Sequence, residues 1–271
     1  MARAARRLTL PRPTTFADVA GEGILLAGGA RALLLQLAHP AVARGVAEHS
    51  SFAEDPVPRL TGTLTYLYVL AFGTEEEIAR VAAHVGRAHR GVRAVDGEPP
   101  YDAANADLQL WVAATLYETT VLMYERVFGP LPAAAADEVY AQSGRIGTAL
   151  GMPASAWPED RSAFAEYWAA TVGALVVGPT ARRLAHALLR PEGAPLWLRA
   201  ALPLARPVTA ALLPDGVRRG YGVRWSAEHQ ARADRLLGLI LAGYRVLPRR
   251  IRHLPGRRVL RHFRAETSPA G

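Results

Sequence analysis

Cysteine is absent from this 271-residue chain, and so is lysine: all 32 basic residues are arginine. The first absence removes disulfides, thiolate metal sites and cysteine nucleophiles together. The second removes lysine Schiff bases and the lysine of a phosphate-binding P-loop. Abundant alanine, glycine and proline beside an arginine-only base set points to a GC-rich genome. Several catalytic motifs are missing as well. Glu48, Glu118, Glu125 and Glu166 are not followed by a histidine three residues on, so the paired Glu-x-x-His motif of a di-iron bundle does not occur. Neither a zinc-protease helix motif nor a nucleophile elbow is present. Gly21-Glu22-Gly23 opens toward a helix with no strand ahead of it, which excludes a Rossmann phosphate loop.

Long apolar runs are also lacking. The stretch from Gly23 to Leu37 is interrupted by Gly28, Gly29 and Arg31, and Trp168 to Val177 is too short to span a bilayer. The basic start, Met1 to Pro13, is not followed directly by the apolar segment of a signal peptide. A soluble, cytoplasmic protein is therefore expected. The formal charge of +8 invites a nucleic-acid reading, but the arginines are dispersed except near the C-terminus and are not interleaved with aromatics. No nucleic-acid partner is expected.

What is present is helical. Half of the residues are hydrophobic, enough for a sizeable core, and the apolar positions follow a helical rather than an alternating period. An all-α fold is predicted: one globular domain of about ten helices, residues 17–247, between a basic N-terminal arm (1–16) and a basic C-terminal tail (248–271). Thr15 or Asp18 caps a first short helix, and Ile24 to Ala38 forms an apolar helix stopped by Pro40, with His39 at the junction. Asp102 or Asn105 caps a long helix from Ala106 to about Phe128. Helices are also expected over Asp137–Leu150, from an opening at Pro158-Glu159-Asp160 through Val177, over Ala181–Leu189 and from Ser226 to about Val246. Between the last two lie a proline-rich stretch, Pro191 to Pro214, and a loop, Tyr221 to Trp225.

The candidate site lies between residues 56 and 93. From Glu75 onward, Ile78, Val81, Ala82, Val85 and Val92 form one apolar stripe, and His89 projects near its centre at about 100° per residue. His84 falls off the stripe. The preceding helix has a stripe of Leu60, Leu64, Leu67 and Ala71, with Arg59 and Thr63 one turn apart along its edge. An imidazole, a guanidinium and a hydroxyl thus gather beside apolar surface. A lone inward histidine is commonly a core residue bonded to a carbonyl, so the pattern leaves His89 open between packing and ligation. Haem suits this inventory because the porphyrin supplies four nitrogens and needs one imidazole from the protein. Its propionates call for arginine, and Arg59, Arg87 and Arg93 lie nearby in sequence. Trp111, Thr115 and Thr119 share a mixed aromatic and hydroxyl face suited to a cavity wall or to plain core packing.

The same residues carry a family resemblance. Leu34-Leu-Gln-Leu-Ala-His39-Pro, His49-Ser-x-Phe, Asp55-Pro, Arg59-Leu-x-x-Thr63, Arg87-Ala-His89-x-x-Val92-Arg93 and Leu110-Trp111-Val112-x-x-Thr115 resemble the bacterial proteins grouped with the oxygenase MpaB and with latex-clearing protein, the rubber oxygenase. The similarity runs over roughly residues 17 to 250. It implies a globin-like helical core binding haem b, with His89 as proximal iron ligand and Arg59 and Thr63 beside the haem. It also implies oxidative chemistry with dioxygen on an apolar, isoprenoid-like substrate. Where rubber oxygenase has a lysine just before the threonine, this chain has Gly62, and Glu48 is the nearest candidate for the family's glutamate. Two other readings stand beside it: a non-catalytic carrier of haem or a lipophilic ligand, and a helical protein whose basic C-terminus docks on an acidic partner or makes a weak membrane-surface contact.

Overall fold

The computed structural model describes residues 15–49, 56–191 and 195–267. Residues 1–14, the Ser50–Asp55 connection with its Phe52 and Asp55, residues 192–194 and the last four residues lie outside them, and the arm expected to end at residue 16 gives way to a helix at Phe16.

Local capping chemistry explains where most helices begin. Helix α1 (Phe16–Ala20) starts at Thr15, whose hydroxyl accepts from the Asp18 amide. A 3-10 turn, Gly23–Gly28, leads into α2 (Gly29–Ala38), and the extended backbone at His39 before Pro40 ends it. The chain then turns by 105° into α3 (Pro40–His49). Helix α4 (Pro56–Phe72) is followed by α5 (Glu75–His89), which opens on a reciprocal capping box between Thr74 and Glu77. The expected loop after His89 closes as a small antiparallel hairpin, Arg93–Ala94 against Tyr101–Asp102. Asn105 then caps α6 (Ala106–Phe128), accepting from the amides of Asp107 and Leu108. Asp102 instead holds the preceding turn through the Ala104 amide.

Helix α6 is the axle of the molecule. It buries residues all round, from Leu110 to Val127, and packs against the 3-10 turn, α2, α7 (Ala133–Ser143) and α8 (Arg145–Thr148). Helix α9 (Arg161–Ala174) starts at Asp160, as expected, and brings Phe164 into an aromatic cluster with Tyr117, Tyr140 and Trp157. Helix α10 (Pro179–Leu189) lies on α2 and α3.

Two expectations fail on the C-terminal side. The proline-rich stretch contains α11 (Leu196–Leu212), which continues through Pro203 and Pro207 because its apolar face packs on α13. After α12 (Asp215–Gly220) comes α13 (Ala227–Arg245), capped by Ser226. The stretch expected as a basic tail is folded over α14 (Arg249–Arg252) and α15 (Leu254–Thr267), and Arg252, His253 and Phe263 are buried. Helix α15 packs along α4, with Gly256 against the Tyr68 ring, so the boundary expected at residue 248 does not separate it from the core. These additional short segments also raise the number of helices above ten. Among the described residues no single helix is long and apolar enough to cross a membrane.

Candidate functional site

The end of α5 and the first half of α4 carry the candidate site. Val85 packs into the cluster of Tyr66, Val69, Leu70, Ile78, Val81 and Ala113, which anchors α5 to α4 and α6. One turn later, where that packing stops, His89 is the last residue of the helix and is half-buried rather than sealed in the core. His84 is exposed, as its place off the stripe predicts. The carbonyl of His89 accepts from the Val92 amide at 2.9 Å, but its imidazole makes no hydrogen bond to the described residues. A core histidine bonded to a carbonyl would have one. Burial, and then the nearby charge of Arg59, lowers the His89 pKa below the ordinary 6.5. At neutral pH the ring is uncharged and keeps a lone pair for a ligand.

Arg59 lies within electrostatic reach of that ring. Every residue from Pro58 to Thr63 is exposed, yet burial lowers the Arg59 pKa. A methyl group added at Gly62 or at Gly86, one turn before His89, would meet no atom within 4 Å. Thr63 donates to the Arg59 carbonyl at 3.1 Å and is exposed on the same half-helix. Arg87 and Arg93 are exposed near the end of α5 and pair with no described carboxylate.

The remaining predicted residues sit in a different packing group. Trp111 is 1% exposed and stacks on Trp168 with centroids 5.5 Å apart, within the cluster of Leu34, Leu35, Ala38 and Ala181. Thr115 has no exposed surface; it donates to the Val112 carbonyl at 2.7 Å and accepts from Gln36 at 3.0 Å. Neither presents appreciable surface to a space that water can enter. Thr119 is likewise buried and accepts from Arg31. His39 stands at the α2–α3 corner with Nδ1 buried and unpartnered, and burial lowers its pKa too.

Glu48 proves to be part of a clamp. Its carboxylate accepts from the Tyr101 hydroxyl at 2.6 Å and from Arg44 at 2.8 Å, and these bonds hold its pKa below the usual carboxylate range. Because Tyr101 gives its proton to Glu48, His49 must donate Nε2–H to the tyrosine oxygen, 2.7 Å away. Arg44 also binds the carbonyls of Asp96 and Pro99, pinning the hairpin to α3. A carboxylate so occupied is a poor proton acceptor. Sequence reasoning had no signal for this clamp, since its partners lie some fifty positions apart.

Among the described residues, no group of three His, Asp or Glu side chains can hold a metal ion. A macrocycle that brings its own equatorial donors and asks for one neutral imidazole fits the donor set at His89. The family described as "ER-bound oxygenase mpaB/B'/Rubber oxygenase, catalytic domain" matches residues 17–242. The chain belongs to this oxygenase family. An uncharacterized protein of Mycobacterium bovis and one of Mycobacterium tuberculosis are each 36% identical to it over 224 residues, 80% of this chain and 88% of theirs. No solved structure matches the chain. The match takes in α1 through most of α13, so the mpaB/rubber oxygenase domain spans the whole site just described.

Proposed function

We propose that this oxygenase domain is haem b-dependent, with His89 as the proximal iron ligand and an apolar, isoprenoid-like molecule and dioxygen as its substrates. The observation that carries the reading is the half-buried imidazole at the end of α5, its pKa lowered by burial and by Arg59 and its ring without a hydrogen-bond partner among the described residues, beside the exposed first half of α4. When bound, haem would supply the redox chemistry with dioxygen. The chain's own residues would do the rest. His89 would hold the iron through one ring nitrogen, kept neutral by burial and by the adjacent Arg59. Arg59, Arg87 and Arg93 would meet the propionates. Thr63 would add a hydroxyl at the same rim, and Gly62 leaves room where a longer side chain would intrude. Trp111 and Thr115 would act from behind, by holding α2 and α6 together, and His39 stays a further imidazole at the α2–α3 corner.

Purification from cells supplied with a haem precursor tests this. The expected result is a Soret band at about one haem per chain, strongly reduced in His89→Ala while the circular dichroism is kept. A band unchanged in that variant removes His89 as ligand, and a wild-type protein that takes up no haem removes the cofactor. Oxygen uptake with isoprenoid alkenes then separates an oxygenase from a carrier.

A further inference from the structure

Between Asp234 and Glu266 the chain carries nine arginines and no acidic residue. The structure sorts them. Arg252 is buried, Arg249 pairs with Asp18, Arg245 donates to the Val127 carbonyl, and Arg264 forks onto Glu77 at 2.8 and 3.1 Å. Arg235, Arg250, Arg257, Arg258 and Arg261 are exposed and bond to no described side chain or carbonyl. The carboxylates bordering this surface are engaged: Glu228 with Arg232, Asp234 with Gln230, Glu266 with His262, Asp18 with Arg249.

The same segment also carries exposed aliphatic side chains. On α13, Leu237 and Leu241 face the core, whereas Leu239 is 74% exposed and Val246, two turns further, is 78% exposed. Ala242 and Gly243 lie between them, exposed and small. Past Pro248 comes Ile251, which is 51% exposed. Side chains this far out of the surface protrude; they do not line a groove.

We propose that this segment, from Leu239 to Ile251 with the exposed face of α15, is a docking surface for an anionic lipid bilayer. Protruding aliphatic side chains suit a deformable acyl boundary better than a rigid protein partner, which would need a matching pocket for each. Unpaired guanidiniums around them suit a surface of diffuse negative charge, where each is worth roughly a fivefold gain in binding. A second copy of the chain fits worse, because a two-fold contact would set these arginines against one another. The inference is independent of the haem reading.

Flotation of the full-length protein with vesicles tests it. Association is expected with phosphatidylcholine vesicles containing phosphatidylglycerol, weak or none with phosphatidylcholine alone, and release as salt shortens the Debye length below about 10 Å. The triple variant Arg257→Gln, Arg258→Gln, Arg261→Gln should bind on the order of 100-fold more weakly. Val246→Ser with Ile251→Ser should bind about tenfold more weakly. All five positions are exposed, so haem content and circular dichroism should stay unchanged. Equal binding to neutral and anionic vesicles, no binding, or variants that bind like wild type would overturn the proposal. So would a concentration-dependent dimer that the double serine variant dissolves, which would give the surface to a second copy.

Discussion

Two glycines show how differently the same residue serves a fold and a site. At Gly28 an added Cβ would lie 2.6 Å from Thr119 Cγ2 and 2.8 Å from Met123 Cγ, so its bare backbone is what lets the 3-10 turn reach α6. At Gly62 the same atom would meet open space. Gly28→Ala should therefore lower stability by about 1–3 kcal/mol through overpacking. Gly62→Ala should leave it unchanged or raise it by up to ~1 kcal/mol, as alanine favours the helix. Urea midpoints of the two variants check this; a destabilised Gly62→Ala would mean that the space beside α4 is not open.

Among the elements, α15 shows how a basic sequence becomes structure. Its inner face packs Phe263 and Leu260 into the cluster shared by α4, α5 and α8, and Arg264 grips Glu77 in the first turn of α5. That Arg264 contact, with the Thr74 amide, lowers the Glu77 pKa to about 2 from the usual 4.5. A carboxylate with a depressed pKa stabilises the fold fully above its unfolded value and loses that contribution as pH falls toward its folded one. The α15–α5 junction should thus weaken between about pH 4.5 and pH 2. Glu77→Gln should remove this dependence and cost roughly 1 kcal/mol at neutral pH, through the lost cap and ion pair. Amide exchange in α15 at pH 7 and pH 3 reads the effect; equal protection at both would contradict it.

For the whole molecule, the decisive tie joins the two ends of the chain. Glu22 is 4% exposed, accepts from Tyr244 at 2.7 Å and from His253 Nε2 at 3.2 Å, and lies 3.5 Å from Arg252. The Arg252 guanidinium sits 4.8 Å from the Phe128 ring centroid. Gly21 and Gly23 flank the carboxylate because a Cβ at either would strike His253 or the Arg252 carbonyl. Removing one member of such a buried group leaves charge without compensation. Glu22→Ala should cost about 3–5 kcal/mol, measured by chemical denaturation. A loss below about 1 kcal/mol would show that the ends are held by packing alone.

The sequence by itself determined what depends on neighbouring residues. The stop at His39-Pro40, the cap at Ser226, the stripe of α5 and, as one of two candidates at each place, the caps at Thr15 and Asn105 were readable, because each is decided within one or two turns of chain; the stripe expected on α4 was not, since Leu60 is 44% exposed and the face that packs carries Tyr66, Val69 and Leu70. The family motifs were readable for the same reason. Tertiary structure alone decided that Pro203 and Pro207 remain inside a helix, that the basic end folds back onto α4, and that Glu48 clamps a hairpin. It also decided that Glu22 meets His253 across 231 positions. These depend on desolvation and close approach between distant segments. No local pattern encodes the free energy of such contacts, which exists only once the helices have packed.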